Sequence, residues 1–389
     1  MIKLADETMW REDLQFINEF IQARPERLSQ SETVLAFEKT FATYNDVNHA
    51  VFVNSGSSAN LLMVYALIET GRLKNKTVVV PAVSWATTVS PWMQYGFNII
   101  LCDADKKNLG MDCDHLAELC DKHEPAAIMP VHVLGMPADI QAIKDIAEKH
   151  SAILLEDCCE SLGSEIAGKH LGTFGTMASF STFVPHQLST VEGGIIITND
   201  DKLDTMLRLL RAHGWNRDIK ATPEYQSVDT FQDKYNFYVP GFNMRNQELN
   251  AYLGLRRIAT MKQQAAYRNM LFDTYQEQIK NKYWKPKTHG LVSSMAYPVI
   301  HRDREKIVAE LEANQIECRP LIAGSMEYQP MYERRYGFKE ACPFATNIHK
   351  YGFYVPVHCN MDVEDVKTVT DIINSYYIED VVNIKKEEI

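Results

Sequence analysis

The sequence lacks the long apolar runs, cysteine motifs and excess positive charge that mark several specialised classes of protein. No uninterrupted apolar run approaches the roughly 20 residues that a membrane-spanning helix requires. The eight cysteines form no CxxC pair and have no zinc-type spacing, so reduced thiols are expected rather than a disulfide framework. The formal net charge of −11 disfavours a nucleic-acid or anionic-membrane surface. We therefore expect neither nucleic acid nor membrane as a partner.

Signals for export, for dinucleotide binding and for metal binding are also missing. The first 13 residues include acidic side chains and no apolar segment of the kind found in signal peptides, which predicts a cytoplasmic location. No GxGxxG pattern occurs, and the 12 histidines form no HExxH-like pair, so no metal is predicted. The N-terminal region instead contains a helical pattern that Thr8 can cap and that places Leu14, Ile17 and Ile21 on one face.

Apolar strand candidates alternate with helical patterns through the first 245 residues. Strands are predicted at 50–53, 77–81, 98–102, 127–133, 152–156 and 194–198, and helices at 59–69, 140–150 and 203–213. Continuous apolar strands between helices are typical of a sheet covered on both faces, so we predict an α/β fold with a mostly parallel sheet. Ligands of such sheets bind at the carboxyl ends of the strands.

The pattern changes after residue 245, where a smaller α+β unit is predicted. Its elements are a long helical stretch (247–280), strands at 294–300 and 316–321, a helix at 304–314 and a closing helix from Asp362. We therefore predict a large domain over 1–245, with an N-terminal helix or arm over 1–30, and a small C-terminal domain over 246–389.

Three local features suggest a site for a phosphorylated aromatic ligand. Ser55-Gly56-Ser57-Ser58 lies between a strand and a helix, where small residues let backbone N–H groups approach a phosphate. Asp157 ends a buried strand and could pair with a protonated ring nitrogen, while Trp85 offers a flat face to an aromatic ring. Each feature also has a purely structural interpretation, as a turn, a helix cap, and a core or interface tryptophan.

Taken in chain order, these features resemble the DegT/DnrJ/StrS sugar aminotransferases, which are fold-type I pyridoxal phosphate enzymes. The resemblance covers nearly the whole chain, and its most specific stretches are 54–60, 80–88, 155–163, 180–194 and 241–249. It implies a large domain with a mostly parallel seven-stranded sheet that binds the cofactor, and a smaller α+β C-terminal domain.

The resemblance also implies roles for individual residues. Positions that match the family's cofactor-binding residues are Gly56, Ser57, Trp85, Asp157, Glu160, Ser181 and Asn243. Gly56, Ser57 and Ser181 would hold the phosphate, Trp85 would stack on the ring, and Asp157 would bind its nitrogen. Asn243 matches an asparagine that reaches the phosphate of a neighbouring subunit, which implies a homodimer with shared active sites.

The lysine that links the cofactor covalently in the aminotransferases is absent. His186 occupies its position in the stretch 180–194, and no lysine lies between Lys169 and Lys202. With histidine at this position, the chain resembles a smaller branch of the family. Its members are dehydratases that remove the 3-hydroxyl of nucleotide-linked 4-keto-6-deoxy sugars. The resemblance implies pyridoxamine phosphate as the working cofactor, GDP-4-keto-6-deoxymannose as the substrate and glutamate as the amino donor that restores the amine from pyridoxal phosphate.

Histidine suits the chemistry of that branch, because its unperturbed pKa of about 6.5 allows it to accept and return a proton near neutral pH. We therefore assign His186 as the general base, and as the acid that assists loss of the hydroxide. Two neighbours depart from the branch: Gln187 stands where many members carry a second histidine, and Pro185 replaces a small or polar residue. His213 and Arg319 are further candidates for substrate contacts, and both could instead be structural.

Other functions fit parts of this pattern. The chain could be a nucleotide-sugar 4-aminotransferase that uses another amine source, or a non-catalytic regulator that binds the cofactor or a nucleotide. An inactive relative that has lost its lysine is a further alternative. The otherwise intact set of cofactor positions favours the dehydratase.

Overall fold

The computed structural model describes residues 1–5, 11–219, 224–225, 230–280, 284–337 and 341–376. Thr8, the predicted cap of the first helix, and the C-terminal end of the predicted small domain lie outside the described residues. No helix in the described ranges is long and apolar enough to cross a membrane.

The described residues form the strands and helices given below, which alternate in the first half of the chain. The strands are β1 (His49–Val53), β2 (Thr77–Pro81), β3 (Asn98–Cys102), β4 (Ala127–Ile128), β5 (Ile153–Asp157), β6 (Glu165–Ile166), β7 (Lys169–His170), β8 (Met177–Ser181), β9 (Gly194–Thr198), β10 (Ala296–Ile300), β11 (Arg319–Pro320) and β12 (Gly352–Pro356). The α-helices are α1 (Arg11–Gln22), α2 (Glu32–Tyr44), α3 (Gly56–Glu69), α4 (Ala86–Gln94), α5 (Cys113–His123), α6 (Ile140–Lys149), α7 (Asp201–Arg211), α8 (Glu248–Ile258), α9 (Met261–Gln278), α10 (Arg304–Ala313), α11 (Pro330–Tyr336), α12 (Pro343–Tyr351) and α13 (Val363–Ser375). Short 3-10 helices cover Val133–Gly135, Asn216–Asp218, Gln232–Tyr235 and Met326–Tyr328.

Seven strands form the main sheet, in the order β1-β9-β8-β5-β4-β2-β3. Every neighbouring pair from β8 to β3 is parallel, while β9 runs antiparallel to both β8 and β1. Six strands therefore point the same way, which confirms the predicted mostly parallel seven-stranded sheet. The carboxyl ends of β1, β5 and β8 consequently lie at one edge of the sheet.

Both faces of this sheet are buried, as the unbroken apolar strands predicted. In β1, Val51 and Val53 pack into one apolar cluster, whereas Ala50 and Phe52 pack into the other. This alternation follows from the two-residue period of side chains along a strand. Helices cover each face, and the packed sheet gives its carboxyl edge a fixed shape.

A smaller antiparallel sheet, in the order β10-β12-β11, follows in the second half of the chain. The predicted helix over 247–280 is two helices, α8 and α9, because the turn at Ala259-Thr260 interrupts it. Ala251 of α8 packs in the same apolar cluster as Phe37 of α2, so α8 leans on the first half of the chain. The domain boundary after residue 245 stays a prediction.

Several predicted elements differ in extent from the structure. The predicted strand over 127–133 is only two residues long, since the chain enters a 3-10 helix at Val133. The predicted strand over 316–321 is likewise reduced to Arg319–Pro320. β8 was not predicted from the sequence, because its residues Met-Ala-Ser-Phe-Ser include few strand-forming side chains.

Candidate active site

The turn between β1 and α3 brings a helix N-terminus to the carboxyl edge of the sheet. Ser55 caps α3, its hydroxyl accepting a hydrogen bond of 3.0 Å from the Ser58 N–H. A Cβ atom on Gly56 would lie 2.9 Å from both Cys159 Sγ and Ser181 Cβ, so only glycine fits without movement here. Ser57 is exposed in the first helical turn. Unpaired N–H groups at a helix start favour an anion, so this turn could hold a phosphate, and the assignment stays a prediction.

Asp157 lies at the end of β5 and is 4% exposed. Its Oδ2 accepts hydrogen bonds of 2.8 Å from Asn60 Nδ2 and from Thr88 Oγ1. Its Oδ1 accepts a third, of 3.1 Å, from the Cys159 N–H. Ser179 completes the network by donating to Asn60 Oδ1 at 2.5 Å. The carboxylate is thus held in one orientation by side chains from α3 and α4.

Trp85 precedes α4 and remains 56% exposed, which is unusual for so large an apolar side chain next to a core strand. The hydrogen bond from Thr88 to Asp157 ties the first turn of α4, and hence Trp85, to the acidic strand end. An exposed indole fixed near a buried carboxylate can cover an aromatic ring.

His186 lies in the segment between β8 and β9 and is half-buried. Burial lowers the pKa of the imidazole to about 4, and the positive charge of Arg268 acts in the same direction. The Cys159 carbonyl and the Asp157 charge oppose this shift. The ring is therefore neutral at neutral pH and ready to accept a proton.

Glu160 is buried three residues beyond Asp157. Burial, together with repulsion by Asp157, raises the pKa of Glu160 to about 8, although the hydrogen bond from the Leu134 N–H opposes that shift. The Leu134 N–H donates to Glu160 Oε2 at 2.8 Å. At neutral pH the carboxyl group is mostly protonated, and it can donate a hydrogen bond to a ligand.

Ser181 ends β8 directly opposite Gly194, and Gly194 also pairs with Val53 of β1. The hydroxyl of Ser181 accepts a hydrogen bond of 3.3 Å from the Phe183 N–H. The structure therefore brings Gly56, Asp157 and Ser181 together at one edge of the sheet.

The other predicted site residues, Asn243, His213 and Arg319, are exposed. Asn243 lies beside the β1–α3 turn of the same chain, because the Asn54 N–H donates to the carbonyl of the adjacent residue Met244 at 3.1 Å. The Asn243 side chain accepts a hydrogen bond of 3.1 Å from Arg245 Nε. His213 is exposed in a left-handed backbone conformation (φ 66°) and borders an aromatic surface with Trp215 and Phe237.

Arg319 is exposed on β11 and pairs in register with Tyr354 of β12. Burial raises the pKa of Tyr354 to about 12, the charge of Glu160 adds to the shift, and Arg319 opposes it. Tyr354 is thus within electrostatic reach of both the exposed Arg319 and the buried Glu160. Sequence reasoning missed Tyr354, as it missed Asn60 and Thr88, although the latter two lie in the quoted stretches 54–60 and 80–88.

A second cluster lies close by, where atoms of His132, Glu156 and Cys158 approach within 4.8 Å of one another. Glu156 accepts backbone hydrogen bonds of 2.7–2.9 Å from Gly172, Phe174 and Gly175, and His132 Nε2 lies 3.2 Å from it. His132 Nδ1 accepts from the Ala138 N–H at 3.1 Å. Both ring nitrogens and both carboxylate oxygens are engaged in hydrogen bonds, so we interpret this cluster as a structural clamp on β5.

The residues at the sheet edge fit a pyridoxal phosphate-type cofactor. The cradle that excludes a Cβ at Gly56 suits a phosphate, and the fixed carboxylate of Asp157 suits a ring nitrogen. A seven-stranded mixed sheet with this site at its carboxyl edge defines the fold-type I class of pyridoxal phosphate enzymes. The chain belongs to the DegT/DnrJ/EryC1/StrS aminotransferase family, whose model matches residues 10–374.

Individual relatives point to one branch of that family. The chain is 33% identical over 393 residues to GDP-4-keto-6-deoxy-D-mannose 3-dehydratase of Yersinia pseudotuberculosis, covering 95% of this chain and 97% of that protein. Two solved structures of GDP-4-keto-6-deoxymannose-3-dehydratase superpose with a TM-score of 0.90 at 29% identity, covering 96% of this chain and 100% of theirs. One is a variant with bound GDP-perosamine, and the other holds a trapped PLP-glutamate geminal diamine.

Proposed function

We propose that this protein is a pyridoxamine phosphate-dependent 3-dehydratase of a GDP-linked 4-keto-6-deoxy sugar, GDP-4-keto-6-deoxymannose. One observation carries the proposal: a neutral, half-buried imidazole lies beside Asp157 in the segment where aminotransferases have their lysine. The similarity to dehydratases over 95% of the chain supports it. The product would be a 4-keto-3,6-dideoxy sugar of the kind used in lipopolysaccharide O-antigens.

The residues that would hold the cofactor are those at the sheet edge. Gly56, Ser57 and Ser181 would bind the phosphate at the start of α3, where the helix dipole favours an anion. Asp157 would pair with the ring nitrogen, and the three hydrogen bonds that its carboxylate accepts keep it in place. Trp85 would cover one ring face, and the protonated Glu160 would donate a hydrogen bond to the ring's hydroxyl side.

When bound, pyridoxamine phosphate supplies an amino group for the keto carbon of the sugar and a conjugated ring that takes up electrons. His186 would accept a proton from the carbon that carries this amino group and would return it to the oxygen leaving carbon 3. The hydroxyl would then depart as water. A low pKa suits the second half of this task, because a weakly basic imidazole gives up its proton readily.

Glutamate is the proposed amino donor, since a related dehydratase was trapped with a PLP-glutamate adduct. We also propose a homodimer in which Asn243 reaches the phosphate held by its partner. The exposure of Asn243 supports this second proposal. His213 and Arg319, both exposed, stay candidates for contacts with the nucleotide sugar.

The direct test is incubation with GDP-4-keto-6-deoxymannose, glutamate and cofactor, followed by mass spectrometry of the sugar. A product that has lost one oxygen and kept its carbonyl supports the dehydratase. A product with an amino group at carbon 4 would establish the 4-aminotransferase instead. His186→Asn should abolish dehydration, whereas the matched variant His170→Asn, on the β6–β7 hairpin, should leave it unchanged.

A further inference from the structure

The connection between β8 and β9 carries His186 and is held by backbone hydrogen bonds at its two ends. The Thr182 N–H donates to the Gly193 carbonyl at 2.9 Å, and the Thr190 N–H donates to the Thr182 carbonyl at 2.8 Å. Between these ends, no backbone hydrogen bond joins residues 184–189 to another element of the described chain. Side chains therefore hold this part of the connection in place.

The two residues that follow His186 are both buried. Leu188 packs in an apolar cluster, whereas Gln187, which is 3% exposed, makes polar contacts. Gln187 Nε2 donates hydrogen bonds to the backbone carbonyls of Glu160, at 2.5 Å, and of Ser293, at 2.8 Å. Because carbonyls can only accept, the NH2 end of the amide is the end that faces them. One side chain thus joins three segments that are far apart in sequence.

The two carbonyls belong to segments that are themselves fixed. The Ser293 N–H donates to Ser164 Oγ at 2.9 Å, and Ser164 Oγ donates to the Gly135 carbonyl at 2.7 Å. The carbonyl of Glu160 lies in the short segment directly after β5. Gln187 therefore ties a connection without backbone anchors to two parts of the molecule that have them.

The base and its neighbour contact consecutive carbonyls of one segment. The carbonyl of Cys159 accepts a hydrogen bond from the His186 ring, and that of Glu160 accepts one from Gln187. The same segment begins at Asp157, whose Oδ1 accepts a hydrogen bond of 3.1 Å from the Cys159 N–H. The tether at Gln187 consequently sets where the imidazole lies relative to the carboxylate of Asp157.

We propose that Gln187 is a positioning residue whose two hydrogen bonds hold His186 at a fixed place relative to Asp157. This role rests on the proposed function of His186, whereas the tether itself can be measured without any reaction. The histidine that many members of the branch carry here has one N–H when it is neutral, so it can bind only one of the two carbonyls at a time.

Gln187→Met tests the tether, because methionine has a similar length and volume but donates no hydrogen bond. We expect the amide hydrogens of residues 183–189 to exchange at least about tenfold faster in the cofactor-free variant, measured by mass spectrometry of peptides. We expect kcat for dehydration to fall by roughly 10–100-fold with little change in KM, since the base is misplaced while the substrate contacts remain. Gln187→His should lie between the wild type and Gln187→Met in both measurements.

Gln276→Met is the matched control, because it removes a hydrogen bond of 2.8 Å from a glutamine amide to the Pro286 carbonyl at the far end of α9. It should leave kcat and the exchange of residues 183–189 unchanged. Gln187→His serves as the test variant if Gln187→Met fails to fold.

Unchanged exchange at residues 183–189 in a folded Gln187 variant would overturn the proposal, as would faster exchange with the kcat of the wild type. If the wild type lacked dehydratase activity, the proposed function would fail, and the exchange measurement alone would then support or overturn the tether.

Discussion

Asn60 donates a hydrogen bond of 2.8 Å to the carboxylate of Asp157, across 97 residues of sequence. Asn60 belongs to α3, the helix whose N-terminus faces the proposed phosphate position, and Asp157 ends strand β5. One hydrogen bond therefore connects the two ends of the proposed cofactor site. The Ser179 hydroxyl, which donates to Asn60 Oδ1, fixes the orientation of the Asn60 amide.

Replacing Asn60 by alanine should weaken cofactor binding without removing any group proposed to touch the cofactor. Losing one hydrogen bond to a buried carboxylate costs about 1–3 kcal/mol, so we expect the Kd for pyridoxal phosphate to rise by roughly 5–150-fold. Absorbance titration of the cofactor-free protein would measure it. Thr88→Val, which removes the other donor to the same oxygen, should have a similar effect. An unchanged Kd in both variants would show that the network does not position Asp157.

Gly56→Ala should both destabilise the protein and impair phosphate binding. The added methyl would lie 2.9 Å from Cys159 Sγ and Ser181 Cβ, and overpacking of this kind typically costs about 1–3 kcal/mol. Thermal unfolding of the cofactor-free protein and titration with the cofactor would measure the two effects separately. Ser57→Ala, in the same turn, adds no volume and should keep the unfolding temperature close to that of the wild type.

His186→Lys should exchange one chemistry for another. We expect dehydration to fall by about 10²–10⁴-fold, the usual contribution of a general acid–base group. A covalent link to pyridoxal phosphate that borohydride can reduce should appear at the same time. Mass spectrometry of the reduced protein would detect it. If the lysine variant retained the dehydration rate of the wild type, His186 would not be the base.

Glu160→Gln should change how stability depends on pH. Folded Glu160 keeps its proton up to a pKa of about 8, whereas the unfolded chain loses it near 4.5, so folding takes up a proton between these values. Rising pH therefore destabilises the wild type through this group, and the glutamine variant is free of the effect. Between pH 6.5 and pH 8 the variant should gain up to about 2 kcal/mol relative to the wild type.

Thermal unfolding of both cofactor-free proteins over that interval would test the pH prediction. Below pH 6.5 the neutral His186 acts in the opposite direction, since its folded pKa of about 4 makes falling pH destabilising. The interval above pH 6.5 isolates Glu160. A constant difference between the two proteins from pH 6.5 to pH 8 would contradict a buried, protonated Glu160.

The sequence predicted the sheet well because its strands are apolar on both faces. Strands 77–81, 98–102 and 194–198 were located to the residue. β8 escaped detection because tertiary pairing with β5 and β9, rather than intrinsic propensity, makes Met177–Ser181 a strand. The two-residue strand β4 likewise forms because it pairs with β2 on one side and β5 on the other.

The candidate site was predictable where it uses residues adjacent in sequence to strand ends, such as Gly56 and Asp157. It was not predictable where long-range contacts decide the chemistry. The pKa of Glu160 depends on burial and on Leu134, and the environment of His186 depends on Arg268, 82 residues away along the chain. Gln187 stood out in the sequence only as a departure from the family, and its contacts to Glu160 and Ser293 required the fold.

The structural clamp around Glu156 fixes the register of β5 relative to its neighbouring strands, and the candidate active site depends on that register. Glu156 and Asp157 are consecutive, so the strand directs one carboxylate to Gly172, Phe174 and Gly175 and the next to Asn60 and Thr88. A shift of β5 by one residue along its neighbouring strands would turn each carboxylate to the opposite face of the sheet. Each buried charge would then lie against apolar side chains. We therefore expect an insertion or deletion of one residue in β5 to disrupt both the clamp and the site, because it would displace Glu156 and Asp157 together.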